Sequence, residues 1–167
     1  TLFGRLFIAF AIVCGMSLTG GTALGQDSRD APAPLGTAAA VGDYDVTVLD
    51  VTADASALVA AENQFNDPPA AGKQFFMARI GIVYNGAEPG TPWLDLSFKA
   101  VGASGIGYTV FDNSCGVIPE EASGFSDLFE GASIEFNVCW EITSDDADSL
   151  VMYVEQTFAF DTQPVWF

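Results

Sequence analysis

The amino-acid sequence predicts an all-β protein, an antiparallel β-sandwich of immunoglobulin-like type. Apolar and polar residues alternate with a period of two along about seven short segments. Clusters of Gly, Pro, Asn and Asp separate these segments. The segments differ in length, and long connections such as Thr52 to Ala71 suit the crossovers of a sandwich better than the meander of a barrel, which is the alternative architecture.

The predicted strands follow one another from residue 42 to the end of the chain. The first lies in GDYDVTVLDVT, where Tyr44, Val46 and Val48 share a face. The second lies in KQFFMARIGIVY and ends at the turn signal Asn85-Gly86. Its core face is predicted to carry Phe76, Ala78, Ile80, Ile82 and Tyr84. Further strands are predicted in WLDLSFKAVG, where the alternation starts at Leu94, and in IGYTVFD, ASIEFNVCWEIT, SLVMYVE and PVWF.

One short helical turn is predicted between the first two strands. It lies in DASALVAAEN, where Ala57, Leu58 and Ala61 would share one side of the helix. No other window of helical length shows an apolar face with a 3.6-residue period, so helices are expected to contribute little to the fold.

The N-terminal segment has the pattern of a secretory signal peptide. Arg5 precedes an apolar run from Leu6 to Val13, and small residues follow as far as Gly25. The run is shorter than the roughly 20 residues that a membrane-spanning helix needs. We therefore assign residues 1–25 to a signal peptide, 26–37 to a flexible linker rich in Pro and Ala, and 38–167 to the folded domain. The protein is expected in the cell envelope or outside the cell.

Cys14 supports two interpretations. A lipoprotein signal also carries a cysteine at the end of its apolar run, but such sites usually have Gly, Ala or Ser before the cysteine, and here Val13 precedes it. Cysteine also behaves as a small apolar residue. We therefore interpret Cys14 as part of the signal core, with membrane attachment through a lipid anchor at Cys14 as the alternative.

Composition limits the functional classes. The chain has 22 acidic and 5 basic side chains, a net charge of −17 and no histidine. A strongly negative surface repels nucleic acid and anionic lipid head groups. The absence of histidine removes the imidazole as a general base and a metal ligand. No nucleic-acid partner and no cofactor are therefore expected. The acid excess is interpreted as a solvated surface, and adaptation to high salt stays open.

The two cysteines of the exported chain, Cys115 and Cys139, are predicted to form a disulfide. In ASIEFNVCWEIT the apolar set points to the core, so Cys139 lies on the opposite face with two glutamates. A single pair in an oxidising compartment permits one connectivity. A catalytic thiolate at Cys115 would need a neighbouring cation or a helix N-terminus, whereas Glu120 and Glu121 follow it. The bond would hold the loop around Cys115 on the outer face of the Cys139 strand.

The acidic segment TSDDADS is the best candidate for calcium in this sequence. Asp145, Asp146 and Asp148 place carboxylates at close spacing, as a hard cation requires. The segment lacks the glycine and the distal glutamate of an EF-hand loop. The alternative is a solvated turn in which these carboxylates cap backbone groups, so no metal site is assigned.

Several segments together resemble a known family. The most distinctive are NDPPAAGKQFFMARI, residues 66–80, and the approach to a strand from Gly131 to Ile134. From Pro34 to Phe167 the chain resembles the telokin-like domain-of-unknown-function family of exported bacterial and archaeal proteins, which is related to a small secreted mycobacterial antigen. The resemblance implies an extracytoplasmic immunoglobulin-like sandwich and supplies no catalytic residues.

These observations predict a secreted or cell-surface binding domain without enzymatic activity. Its partner is expected to be an extracellular protein or a surface component, and the loop around Cys115 is the first place to look for it. Two alternatives stay open: a hydrolytic enzyme with a spatially assembled carboxylate pair, and a calcium-stabilised structural domain of the envelope. A concave pocket with two carboxylates would favour the enzyme, and an exposed apolar patch would favour binding.

Overall fold

The fold was obtained as a computed structural model, which describes residues 28–111, 114–122, 127–159 and 162–167. The predicted signal peptide, including Cys14, lies outside the described residues. Within the described part, the strands form two four-stranded antiparallel sheets. This arrangement confirms the predicted all-β sandwich. No helix in the described ranges is long and apolar enough to cross a membrane.

Each sheet combines strands that are distant in the sequence. The first sheet has the order β1 (Ala38–Val41), β2 (Tyr44–Thr52), β3 (Lys73–Tyr84) and β6 (Ser133–Thr143). The second has the order β5 (Gly107–Thr109), β4 (Leu96–Val101), β7 (Val151–Gln156) and β8 (Val165–Trp166). Two α-helices, α1 (Ser56–Glu62) and α2 (Pro92–Asp95), and a 3₁₀ helix (Ser144–Ser149) complete the described elements. The chain therefore crosses between the sheets after β3, after β5 and after β6.

The sandwich core lies between the sheets and contains the predicted apolar faces. All five residues predicted for the core face of β3 are buried, and from β6 the residues Phe136, Val138, Trp140 and Ile142 join them. The second sheet contributes Phe98 and Val154, among others. The ring of Phe98 meets the ring of Phe136 edge to face, with centroids 5.7 Å apart. The period-two pattern therefore predicted correctly which side of each long strand faces the sandwich core.

The predicted face of the short helix is wrong. Val59 is fully buried against the outer face of the first sheet, together with Ala55 just before α1. Ala57, Leu58 and Ala61 are exposed instead. A helix of seven residues built mainly from small apolar side chains has too little polar contrast to define its buried side, so its packing partner decides the orientation.

The strand predicted in WLDLSFKAVG begins later than its alternation suggested. Pro92 starts α2, a position where its missing N–H and its restricted φ are tolerated. Leu94 therefore lies in a helical turn and is exposed, and β4 begins at Leu96.

The described part of the predicted linker packs against the sandwich. Ala33 is buried in the core, and its N–H donates to the carbonyl of Trp166 at 2.8 Å. The N–H of Gly36 donates to the carbonyl of Val48 at 2.8 Å. Arg29 donates to the carbonyl of Gly102. Residues before Ala38 therefore contact both sheets.

The packing of the sandwich core can be tested by substitution of Trp140. Its side chain is fully buried between the sheets. The substitution Trp140→Ala is expected to lower the free energy of unfolding by about 3–5 kcal/mol, because it removes apolar contacts and leaves a cavity. Denaturant unfolding followed by circular dichroism measures this change. Leu58→Ala, at an exposed apolar residue, is the control and should change the free energy by less than about 0.5 kcal/mol. Equal effects of the two substitutions would contradict the packing.

Candidate functional site

The structure places Cys115 and Cys139 at disulfide distance. Their sulfur atoms are 2.00 Å apart and their Cα atoms 6.1 Å apart. These separations are typical of a disulfide bond. Cys139 lies in β6 on the face that points away from the sandwich core, so the bond attaches the loop 114–122 to the outside of the first sheet.

Cys139 is nevertheless buried, contrary to the expectation of an exposed polar face. It belongs to a second hydrophobic cluster on the outer face of the first sheet, which contains Ala55, Val59, Phe75, Met77, Cys115, Ile118 and Cys139. Helix α1 and the loop 114–122 supply the residues that cover this face. Strand phase therefore predicted the side on which Cys139 lies, and the predicted disulfide placed the Cys115 loop there, but the cover by α1 was not predicted.

Hydrogen bonds from polar side chains fix α1 and the loop 114–122 over this second cluster. The side-chain amide of Asn66 donates to the carbonyls of Val59 and Val117 at 2.7 Å, and its oxygen accepts the N–H of Val117 at 2.9 Å. From β6, the side-chain amide of Asn137 donates to the carbonyl of Pro119 at 2.8 Å. The crevice beneath the loop holds only about 50 Å³. The described part of this loop is therefore a hydrogen-bonded cover over the cluster, with little space beneath it.

The acidic segment 144–149 is organised around one buried carboxylate. Asp146 accepts hydrogen bonds from the N–H and hydroxyl of Ser104, at 2.9 and 2.5 Å, and from the hydroxyl of Tyr108 at 2.6 Å. The bond from the Ser104 hydroxyl, followed by that from Tyr108, lowers the pKa of Asp146 to about 2. A Cβ at position 102 would come 2.3 Å from the Asp146 carboxyl carbon, so this contact requires Gly102.

Asp145, Asp146 and Asp148 do not converge on a common point. Asp146 is buried, whereas Asp145 and Asp148 are exposed. Across the described ranges, no group of three or more Asp, Glu, Cys or His side chains is arranged to hold a metal ion. Asp146 serves instead as a hydrogen-bond acceptor that joins the 3₁₀ helix to β5 and to the turn before it.

A concave cleft lies at one end of the sandwich, where strand ends from both sheets meet. Its volume is about 420 Å³, within the range of small-molecule pockets. Tyr44 begins β2, Tyr84 ends β3 and Asp95 ends α2, while Gln156 ends β7 and Phe158 follows it. We call this site the end cleft.

Two tyrosine rings in tilted contact form one wall of the end cleft. The rings of Tyr44 and Tyr84 have centroids 4.9 Å apart. The Tyr44 hydroxyl donates to Oδ2 of Asp95, which also accepts the N–H of Thr91 at 2.8 Å. The Tyr84 hydroxyl donates to the carbonyl of Glu88. Burial raises the pKa of both tyrosines, and the bond to Asp95 raises that of Tyr44 further. Both rings are therefore neutral and held in place at physiological pH.

Glycines provide the space for these rings. A Cβ at position 86 would lie 2.2 Å from the Tyr84 hydroxyl oxygen, and one at position 90 would lie 2.4 Å from that of Tyr44. The Asn85-Gly86 turn signal thus serves a second purpose. The connection from β3 to α2 can pass close to both tyrosines because it has no side chains at these positions.

The lining of the end cleft is acidic and aromatic. Asp43, Glu88 and Asp95 contribute carboxylates, and none of the lining residues that the structure describes is basic. Phe158 is 76% exposed at the cleft. A negative potential therefore coincides with exposed aromatic surface.

Sequence reasoning missed the end cleft. The sequence pattern places Tyr44 and Tyr84 on strand faces, and the three carboxylates come from two separate loops and the end of α2, none of which carries a motif. The end cleft could have been predicted only from the register of β2 against β3, in which Tyr44 pairs with Tyr84. That register follows from tertiary pairing.

Solved structures share this fold at low sequence identity. A secreted protein of Mycobacterium tuberculosis, MPT63, has a TM-score of 0.54 at 15% identity, over 80% of this chain and 92% of that chain. A conserved hypothetical protein from Bacillus anthracis has a TM-score of 0.51 at 18% identity, over 78% and 93%. An uncharacterized β-sandwich protein from Clostridium difficile has a TM-score of 0.50 at 12% identity, over 80% and 89%.

No protein-family model and no curated protein matches the sequence. At the identities of the structural matches, the likeness establishes the fold alone. It agrees with the sandwich implied by the sequence resemblance, whereas membership of the telokin-like family stays a prediction.

The disulfide is expected to stabilise the loop rather than define the fold. It closes a separation of 24 residues. Replacing both Cys115 and Cys139 with Ser should therefore lower the free energy of unfolding by about 3 kcal/mol, because the unfolded chain gains freedom. Denaturant unfolding measures the loss, and circular dichroism should still report the sandwich. Reduction of the unmodified protein is the matched control and should have a similar effect. Detection of two free thiols in natively exported protein would disprove the bond.

Asp146 is expected to make stability depend on pH. Its pKa is about 2 in the folded state against 3.8 for the unperturbed group. A lowered folded-state pKa stabilises the fold above pH 3.8, and this contribution disappears as the pH falls through about 2. Asp146→Asn should therefore cost about 1–3 kcal/mol at pH 7 and progressively less below pH 4. Unfolding curves of both proteins at each pH give the difference. Asp148→Asn, at an exposed neighbour, should change little, and a pH-independent cost for Asp146→Asn would contradict this role.

Proposed function

We propose that this chain is an extracytoplasmic binding domain without enzymatic activity, and that the end cleft is its ligand site. The observation that carries the proposal is the cleft itself, a concave site walled by two hydrogen-bonded tyrosines at the meeting point of the two sheets. Ligand sites combine concavity, aromatic surface and a few fixed polar groups in this way. The ligand would be an extracellular protein or a surface component.

An oxidising location is supported by two independent features. Cys115 and Cys139 lie at disulfide distance, and disulfides persist mainly in exported proteins. A protein described as secreted shares the fold. Together with the predicted signal peptide, these features favour a location in the envelope or outside the cell.

Binding without catalysis is supported by the chemistry of the side chains. The whole chain contains no histidine. Cys115 and Cys139 are at bonding distance from each other, so neither offers a thiolate. The raised pKa of Tyr44 and Tyr84 keeps their hydroxyls protonated, which makes them poor nucleophiles.

Hydrolysis is the second candidate function, because the end cleft is a concave site with carboxylates. Asp43 and Glu88 are the pair to consider, since Asp95 already accepts two hydrogen bonds. A glycosidase needs two carboxylates on opposite sides of the scissile bond. Turnover of a panel of chromogenic glycosides that is lost in both Asp43→Asn and Glu88→Gln would establish this alternative and contradict binding without catalysis.

The binding proposal is tested by two-dimensional NMR of the exported protein. A collection of cationic, neutral and anionic fragments is titrated, and chemical-shift changes are expected to cluster at the backbone of the end cleft, including Gly90 and Phe158. Phe158→Ala should weaken the cleft-binding fragments about five-fold, because exposed aromatic surface contributes on the order of 1 kcal/mol.

Phe65→Ala is the matched control for this experiment. Phe65 is 82% exposed and is not among the residues that line the end cleft, so its removal should leave fragment affinity unchanged. Shift changes that avoid the cleft altogether, or equal losses in the two Phe variants, would overturn the assignment of the site.

A further inference from the structure

We infer that the end cleft binds an organic cation, an alkylammonium or guanidinium group, an inference that rests on the proposed function and specifies its ligand chemistry. Among the described residues, the charged side chains that line the cleft are all carboxylates, from Asp43, Glu88 and Asp95. They belong to a chain with a net charge of −17, whose field raises the local concentration of cations in a concave site. The electrostatics therefore select a positively charged ligand.

The arrangement of the carboxylates selects an organic cation over a metal ion. They are distributed around a cleft of about 420 Å³, and in the described ranges no group of three or more metal-binding side chains is arranged to hold an ion. Calcium requires six to eight oxygen atoms around a single point. An alkylammonium or guanidinium group on an apolar stem is large enough to reach a carboxylate and an exposed aromatic ring at the same time.

An exposed aromatic ring supplies the second part of the recognition. A cation over the face of a phenylalanine is attracted by the ring quadrupole. Tyr44 and Tyr84 are each only 3% exposed, so Phe158 offers the ring face that a cation can reach. The hydroxyls of Tyr44 and Tyr84 donate to Asp95 and to the carbonyl of Glu88, so their protons are engaged within the protein. Phe158 adds a largely exposed ring at the same site.

Asp95 connects the carboxylates of the end cleft with its aromatic residues. Both of its hydrogen bonds, from the Tyr44 hydroxyl and the Thr91 N–H, end on Oδ2. A carboxylate has about four lone-pair positions on its two oxygens, so Oδ1 has the capacity to accept from a ligand N–H. Because the donors that orient Asp95 come from the protein, the cleft is organised for a cation before the ligand arrives.

The cationic group could be carried by a free amine or by a Lys or Arg side chain of a peptide. Four probes distinguish the sources by calorimetry and NMR with the exported protein: 1,4-diaminobutane, its neutral analogue 1,4-butanediol, a blocked Lys-Phe-Lys peptide and a blocked Glu-Phe-Glu peptide. Saturable binding of the diamine or of the basic peptide, with shifts at the end cleft, is expected. Tighter binding of the peptide identifies a peptide source, and tighter binding of the diamine a free amine; both outcomes support the inference.

Two matched double variants distinguish cation binding at the end cleft from general electrostatic attraction to the protein. The double variant Asp43→Asn with Glu88→Gln removes two exposed carboxylates from the cleft and should weaken cation binding about ten-fold, the ratio that corresponds to 1.4 kcal/mol. The double variant Asp67→Asn with Glu62→Gln removes the same charge from exposed positions that do not line the cleft and should leave affinity within about two-fold.

The outcomes distinguish this inference from the proposed function. Equal weakening by the two double variants means general electrostatic attraction and overturns the cation site. Binding of the diol or the acidic peptide in the cleft, without binding of either cation, overturns the ligand chemistry and leaves the cleft as a binding site. Calcium that binds there more tightly than the organic cations also overturns the ligand chemistry. If no probe or fragment shifts the cleft resonances, both proposals fail.

Discussion

The pairing of β3 with β6 is the interaction on which the other elements depend. The two strands align over eleven residue pairs, from Lys73 with Thr143 to Val83 with Ser133. Side chains alternate between the two sides of this ladder. One side, which carries Trp140 and the other core residues of the two strands, faces the second sheet. The other side is partly covered by α1 and the disulfide-linked loop. Burial on both sides explains the runs of consecutive buried residues, which lie in the first half of β3 and the middle of β6.

The second hydrophobic cluster makes the Cys115 loop part of the fold. Cys115 and Ile118 pack onto the outer face of the sheet, and Asn66 connects the loop to α1 through the carbonyl of Val59. The sequence predicts that the disulfide orders a long surface loop, which makes this loop the first place to look for a partner. Its packing shows that the loop also has a structural role, and the crevice beneath it is small, whereas the end cleft has space for a ligand.

The end cleft follows from where strands begin and end. Pairing of Tyr44 with Tyr84 at the end of the β2–β3 ladder brings the rings into tilted contact, and the close passage of Gly86 and Gly90 leaves room for them. Asp95 arrives from α2, at the start of the other sheet. The cleft therefore joins both sheets, and its aromatic wall and carboxylates come from segments that no local pattern connects.

The sequence by itself determined the all-β class, most strand positions, the core faces of β3 and β6, and the side of β6 on which Cys139 lies. These properties depend on the alternation of neighbouring residues, which is local. Only the tertiary structure decided that Val59 is the buried residue of α1, that Asp146 is a buried acceptor, and that the end cleft exists. Each of these depends on contacts between residues far apart in the chain: α1 with β3, Asp146 with Ser104 and Tyr108, and Tyr44 with Asp95. The alternation of apolar and polar residues indicates which face of a strand is shielded from water. It does not indicate which distant segment packs against that face.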